Sequence, residues 1–205
     1  MVSTTSTRSL LAVNAATVAC ALALDWPVAT LLWPYWVQSV VIGWFSRKRI
    51  LALGRFSTEG FTMNDRAVSP TPATQRSVAN FFAVHFGFFH VVYLVFLMAQ
   101  HTAQLRWWDW AGLLALVVSF AWNHRLSFNQ NVEADRAGTP NIGTLMFLPY
   151  ARIIPMHIAI IVGGALGGDS ALSVLVFGAL KTAADLLMHH VEHRVLQRPR
   201  AAAAA

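Results

Sequence analysis

The sequence predicts an all-α polytopic membrane protein with six transmembrane helices and both termini in the cytoplasm. Three observations carry this expectation. First, 56% of the 205 residues are hydrophobic and only 12% are charged. That charge density is about half the roughly 25% of a water-soluble domain, too little to coat a soluble globule, so lipid is the expected solvent. Second, the apolar residues fall into six runs, each close to the ~20 residues that cross a bilayer. Third, the basic residues gather in alternate connections.

Each run has its own punctuation. Span 1 is expected from about Ser9 to Leu24 and stops at Asp25-Trp26-Pro27. Arg8 before an apolar stretch has the outline of a leader, but no small-x-small cleavage site precedes a polar domain, so the stretch reads as a span. Span 2, about Val28 to Phe45, carries Pro34 near its start, where a kink is expected, and ends at Arg47-Lys48-Arg49. Residues 46–77 read as a cytoplasmic loop with Pro70 and Pro72. Its first part, Ile50 to Leu53, is expected to extend the helix or lie on the membrane surface. Span 3 covers about Val78 to Gln100.

Span 4, about Trp107 to His124, opens on the interfacial cluster Trp107-Trp108-Asp109-Trp110. Such indoles are at home at headgroup depth, where the ring is apolar and the N–H finds a partner. Residues 125–141 read as a second cytoplasmic loop. Span 5 is expected over 142–166, with Pro149 and Pro155 inside it, and span 6 over 171–191. The run Ala201 to Ala205 reads as a tail. Together these make a single transmembrane domain over 1–205 with no internal repeat.

With six spans, one side holds Arg8, Arg47, Lys48, Arg49, Arg55, Arg66, Arg76, Arg125, Arg136, Arg194, Arg198 and Arg200, and the other only Arg106. That asymmetry orients the chain, because cytoplasmic loops retain Lys and Arg. It also accounts for the net charge of +6 as membrane topology and not nucleic-acid binding. Cys20 is the one cysteine, so neither an internal disulfide nor a thiolate metal site is expected. The expected location is a bacterial cytoplasmic (inner) membrane, with the bilayer as partner.

Ionisable side chains inside spans cost several kcal/mol unless paired or lining a cavity, and here they are many. Span 3 holds His85 and His90, span 5 holds Arg152 and His157, and span 6 holds Lys181, Asp185, His189, His190, Glu192 and His193. At ~1.5 Å of rise per residue, His85 is expected about 10 Å deep and His90 and His157 near the midplane. Arg152, Asp185 and His189 fall in the inner leaflet. The predicted site is therefore in the cytoplasmic half of the bilayer.

Lys181, Asp185, His189 and His193 recur every fourth residue and form one helical stripe. Lys181 and Asp185 can neutralise each other, Asp185 can orient His189, and His189 with His193 has the i, i+4 spacing of two ligands on one metal. The ligand candidates are His85, His90, His157, His189 and His193, with Glu192 and Asp185 as catalytic candidates and Arg152 and Lys181 as anion or cofactor binders. The string His189-His190-Val191-Glu192-His193 also contains H-x-x-E-H, a metalloprotease pattern that means little outside its context. Against this stands the plain alternative that each polar residue is a hydrogen-bonded member of the helix core.

Five ordered motifs carry a family resemblance: Tyr35-Trp36-x-Gln38 with Ile42-Gly43; His85-Phe86-Gly87 with His90; Asn123-His124 with Ser127-Phe128 and Glu133; Pro149-Tyr150-x-Arg152 with His157 and Gly163-Gly164; and Lys181-Thr182-x-x-Asp185 with His189 and Glu192-His193. Together they resemble an uncharacterised bacterial and archaeal multi-pass membrane family, a domain of unknown function. Gln38 stands where that family's pattern has Glu, and Asn123 where it has Ser. The resemblance implies the membrane fold and the importance of these polar residues, and no activity.

The leading expectation is a metal-dependent membrane enzyme, with zinc for hydrolysis or iron for oxidation of a lipid-soluble substrate. One alternative is a haem- or quinone-linked redox protein using His90 and His157. Another is a non-enzymatic membrane protein with a buried polar network or a proton or solute path.

Overall fold

The fold was analysed in a computed structural model, which describes residues 4–100, 106–151, 153 and 171–202. It is all-helical apart from one two-residue hairpin. In chain order the elements are α1 (Thr4–Ala23), α2 (Val28–Leu51), β1 (Thr62–Met63), β2 (Arg66–Ala67), α3 (Pro72–Gln100), α4 (Trp107–Arg136), α5 (Ile142–Ala151 as described) and α6 (Ala171–Ala202).

Among the described residues, three helical segments are long and apolar enough to cross a membrane: Val28–Leu51, Pro72–Ala99 and Ala171–Met188. The sequence alone predicts six. The shortfall has a local cause in each remaining span. α1 is diluted by Thr4, Thr5, Ser6, Thr7, Ser9, Asn14 and Thr17. The apolar stretch of α4 is bounded by Asp109 and His124. The described part of α5 stops at Ala151, and residues 154–170 of the expected span 5 lie outside the described residues.

The breaker between the first two helices acts where the sequence places it, and the next ones do not. Asp25 turns α1 into α2 with φ 53°, a left-handed conformation that Asp tolerates better than most side chains. Trp26 N–H then donates to Ala21 O at 2.8 Å. α2 runs unbroken through Pro34 and on to Leu51, so the basic cluster Arg47-Lys48-Arg49 belongs to the helix. The segment expected as one loop, 46–77, instead contains the β1–β2 hairpin, whose Asn64 and Asp65 have φ 51° and 59°. Two successive positive φ values make the tight turn whose twist suits a two-residue hairpin.

The second expected loop, 125–141, is mostly helix, because α4 continues to Arg136. At ~1.5 Å per residue, its 30 residues reach about 45 Å, well beyond the ~30 Å of bilayer hydrocarbon. Its last turns are tied down by Asp135 and not by hydropathy, which is why the span pattern misses them.

α2 is the hub. Trp26 Nε1 beside its first turn donates to Asp109 Oδ1 of α4 at 2.6 Å, and Arg49 near its end pairs with Asp135, so α2 and α4 lie parallel. α3 lies antiparallel to α2, with Gly43 against Phe86 and Trp36 Nε1 donating to His90 O at 2.9 Å. α1 and α6 are antiparallel, with Asn14 beside Asp185 and Val18 beside Gly178.

The core divides in two along this bundle. One cluster, around Trp26, Leu31, Tyr35, Leu97, Phe120 and Phe177, fills the half nearest the α1–α2 turn. The other, around Ile50, Val78, Phe82, Phe86, Ile142 and Met146, fills the half nearest the end of α2. There the 52–71 segment is stitched to α5, as Ser57 N–H donates to Pro140 O at 2.9 Å and Ile142 N–H to Ser57 O at 3.0 Å. Outward faces are apolar, including Val84, Phe88 and Val95 on α3, Leu114 and Val118 on α4, and Leu172 and Leu187 on α6.

Candidate functional site

The site is built where α6 meets α1 and α2. Gly178 leaves room for Val18, since a Cβ there would collide with the Val18 Cγ2 methyl. That close approach brings the next turns of α6 against α1. Lys181 and Asp185, one turn apart, then share the face toward α1.

Lys181 Nζ donates to Asp185 Oδ2 at 2.5 Å. Asn14 Nδ2 of α1 donates to the same oxygen at 3.0 Å. On its other side Lys181 Nζ stands 4.8 Å from the centre of the Tyr35 ring, a cation over the negative face of an aromatic. Tyr35 is itself held by Phe177 at 5.7 Å and Phe120 at 6.4 Å between ring centres. Three helices thus contribute to one polar centre, and α4 backs it with Phe120.

The two charged partners are unequally covered: the Lys181 side chain is 5% exposed and that of Asp185 23%. The carboxylate therefore forms the accessible edge of the centre, on the side of the α6 C-terminal half. Among the described residues, both hydrogen bonds to Asp185 converge on Oδ2, which leaves Oδ1 to accept from a proton donor arriving there. A charged pair inside an apolar helix is costly; here the carboxylate, the amide and the aromatic face offset that cost.

The other predicted residues separate. His85 is exposed on α3 and its Nδ1 lies 2.9 Å from the Tyr150 hydroxyl, with Phe81 stacked on it at 5.2 Å. His90 is buried; its Nδ1 lies 2.8 Å from Phe86 O and its ring stacks on Phe86 at 4.3 Å. The two rings thus face different surroundings, although the sequence reading groups them in one ligand set. His189, Glu192 and His193 lie on the unbroken backbone of α6, whose period continues the Lys181–Asp185 stripe to His189 and His193; their side chains lie outside the described residues. Arg152 and His157 lie outside them too. Among the described residues, no group of three or more His, Cys, Asp or Glu side chains converges as a metal site.

Two buried polar residues escape sequence reasoning, one in this centre and one outside it. Asn14 is a single amide in a run of small and apolar residues, and an amide buried in a span is the signal that would have found it. Asp135 falls, by sequence, in the second expected loop, yet it is the buried partner of Arg49, at 2.5 and 2.9 Å.

Residues 1–202 match the model of a family described as a family of unknown function, DUF6498. The chain belongs to that family. Neither a curated protein nor a solved structure matches it. Membership accords with the expected resemblance to a family of unknown function, and the family's description names no reaction.

Proposed function

We propose that the protein is a six-span integral membrane protein of the bacterial inner membrane whose working centre is the Lys181–Asp185 pair, serving passage of protons or a small polar solute. The observation that carries this reading is a Lys that is 4% exposed in the middle of an apolar helix, neutralised within its own helix by Asp185, with Tyr35 against the Lys and Asn14 against the Asp. An intramembrane charge pair of this kind is by default functional.

The six-span, N-in/C-in topology is supported by three features. α1 and α6 are antiparallel, so the chain's two ends share one side of the bundle. Arg47, Lys48, Arg49, Arg76 and Arg136 cluster at that side. Trp107, Trp108 and Trp110, all exposed, stand at the other, as interfacial aromatics do.

The test is proton flux in proteoliposomes under a potassium diffusion potential, read by a trapped pH dye. Vesicles with the native protein are expected to acidify faster than those with Asp185→Asn or Lys181→Met at equal folded protein. Equal rates in all three and in empty vesicles would overturn the proton form of the proposal.

A second reading rests on the unbroken α6 helix, which keeps His189 and His193 at ligand spacing with Asp185 one turn behind. In that reading zinc or iron is held near the cytoplasmic interface, Glu192 acts as base, and a lipid-soluble substrate is bound by Arg152 and Lys181. Elemental analysis of chelator-free protein separates the two: stoichiometric metal lost in His189→Ala and His193→Ala supports the metal centre, and its absence with flux intact supports the path.

A further inference from the structure

Outside that centre, one polar group sits where lipid is expected. His85 is exposed on α3, roughly 10 Å into the expected span, in a frame of aromatic rings: Phe81 stacked at 5.2 Å, Phe89 edge-on at 5.0 Å and Tyr150 edge-on at 5.6 Å. Its Nδ1 is engaged by the Tyr150 hydroxyl at 2.9 Å. Among the described residues nothing meets its Nε2.

The pair has a definite chemistry whichever tautomer is present. If Tyr150 O–H donates to Nδ1, then Nε2 carries the proton and donates outward. If Nδ1–H donates to the Tyr150 oxygen, the Tyr150 O–H is the outward donor and Nε2 an acceptor. In both states the pair presents one donor and one acceptor toward the hydrocarbon, a region that supplies neither.

The frame continues past Tyr150 to Phe147, whose ring centre is 6.3 Å from that of Tyr150. Phe81, Phe89 and Phe147 are all exposed. A neutral flat ring bearing carbonyl oxygens matches this frame: aromatic rings for its faces, and the outward donor of the pair for its oxygen.

We propose that the His85–Tyr150 pair, in its frame of Phe81, Phe89 and Phe147, binds a lipid-soluble planar carbonyl compound, the chemical class of the quinones. The proposal rests on the membrane placement above, and not on the Lys181–Asp185 reading. It concerns binding; an electron donor is not part of it.

The test uses the full chain in nanodiscs of neutral phospholipid and an azido-substituted short-chain benzoquinone as photolabel. Saturable labelling of the α3 and α5 peptides, displaced by unlabelled short-chain benzoquinone, is expected. His85→Leu, which removes the outward hydrogen bond at an exposed position, is expected to weaken the competitor roughly tenfold. His85→Gln, which keeps an outward donor, stays within about threefold, and Tyr150→Phe falls between. Labelling that does not saturate, that phospholipid displaces as well as quinone, that maps to a contact between two copies of the chain, or that is unchanged in His85→Leu would overturn the site. Alkaline extraction, run in parallel, tests the membrane placement: release of the protein from membranes would overturn that reading and this proposal with it, whereas retention with no labelling overturns this proposal alone.

Discussion

The Arg49–Asp135 pair is buried and the Lys181–Asp185 pair only partly so, and they are built for different ends. Arg49 and Asp135 are 86 positions apart and join the ends of two helices through two parallel bonds, at 2.5 and 2.9 Å. A planar guanidinium and a carboxylate satisfy each other in this geometry, and both side chains are closed off at 11% and 6% exposure. Lys181 and Asp185 sit on one helix, so their pairing joins nothing by itself. What it gains is a charged point that α1 and α2 touch through Asn14 and Tyr35, with the carboxylate edge left open. A closed pair fixes architecture, whereas an open pair can exchange a proton or a partner.

Four measurements break or sharpen that contrast. The largest effect belongs to the closed pair. Asp135→Ala leaves Arg49 buried without its carboxylate, and a loss of ~3–5 kcal/mol is expected, read as thermal stability in detergent micelles. The double replacement Arg49→Met/Asp135→Leu is expected to recover most of it, since an apolar pair of similar volume is often neutral; failure to recover would give Arg49 a role beyond the tie.

Asp185→Asn comes next. The amide keeps the volume and can still accept from Lys181 and Asn14, so about 1–2 kcal/mol is expected, with flux lost in the vesicle assay. A stability loss as large as that of Asp135→Ala, without change in flux, would make the second pair structural too. Asn14→Ala removes one of two bonds to Oδ2 and is expected to cost ~1 kcal/mol while slowing flux only in part. The smallest effect is Thr30→Val. Thr30 is buried, and among the described residues its hydroxyl has no partner, so an isosteric apolar side chain is expected to change stability by less than ~1 kcal/mol, in the favourable direction. A clear loss would show that the hydroxyl serves the neighbouring centre.

Helix content was legible because it is local. Apolar runs, Asp25 with Pro27, and the Trp cluster before Gly112 mark α1, α2 and α4 without knowledge of neighbours. The i, i+4 contact of Lys181 and Asp185 was legible for the same reason, since helix period alone makes them neighbours. Less legible were the ends. α4 outruns its apolar stretch because Asp135 finds Arg49, and the hairpin in 52–71 depends on two positive φ values at Asn64 and Asp65 that hydropathy does not encode.

By itself, then, the sequence determined an apolar helical chain, its breakers, its basic asymmetry and the stripe on α6, because these follow from composition and a 3.6-residue period. The tertiary structure decided which polar residues meet. It brought Asn14 and Tyr35 to Lys181 and Asp185, turned His85 outward to Tyr150 and His90 inward to Phe86, and closed Arg49 on Asp135. Such meetings depend on helix rotation and depth relative to other helices, and those are set by packing, as at Gly178 against Val18 and Gly43 against Phe86.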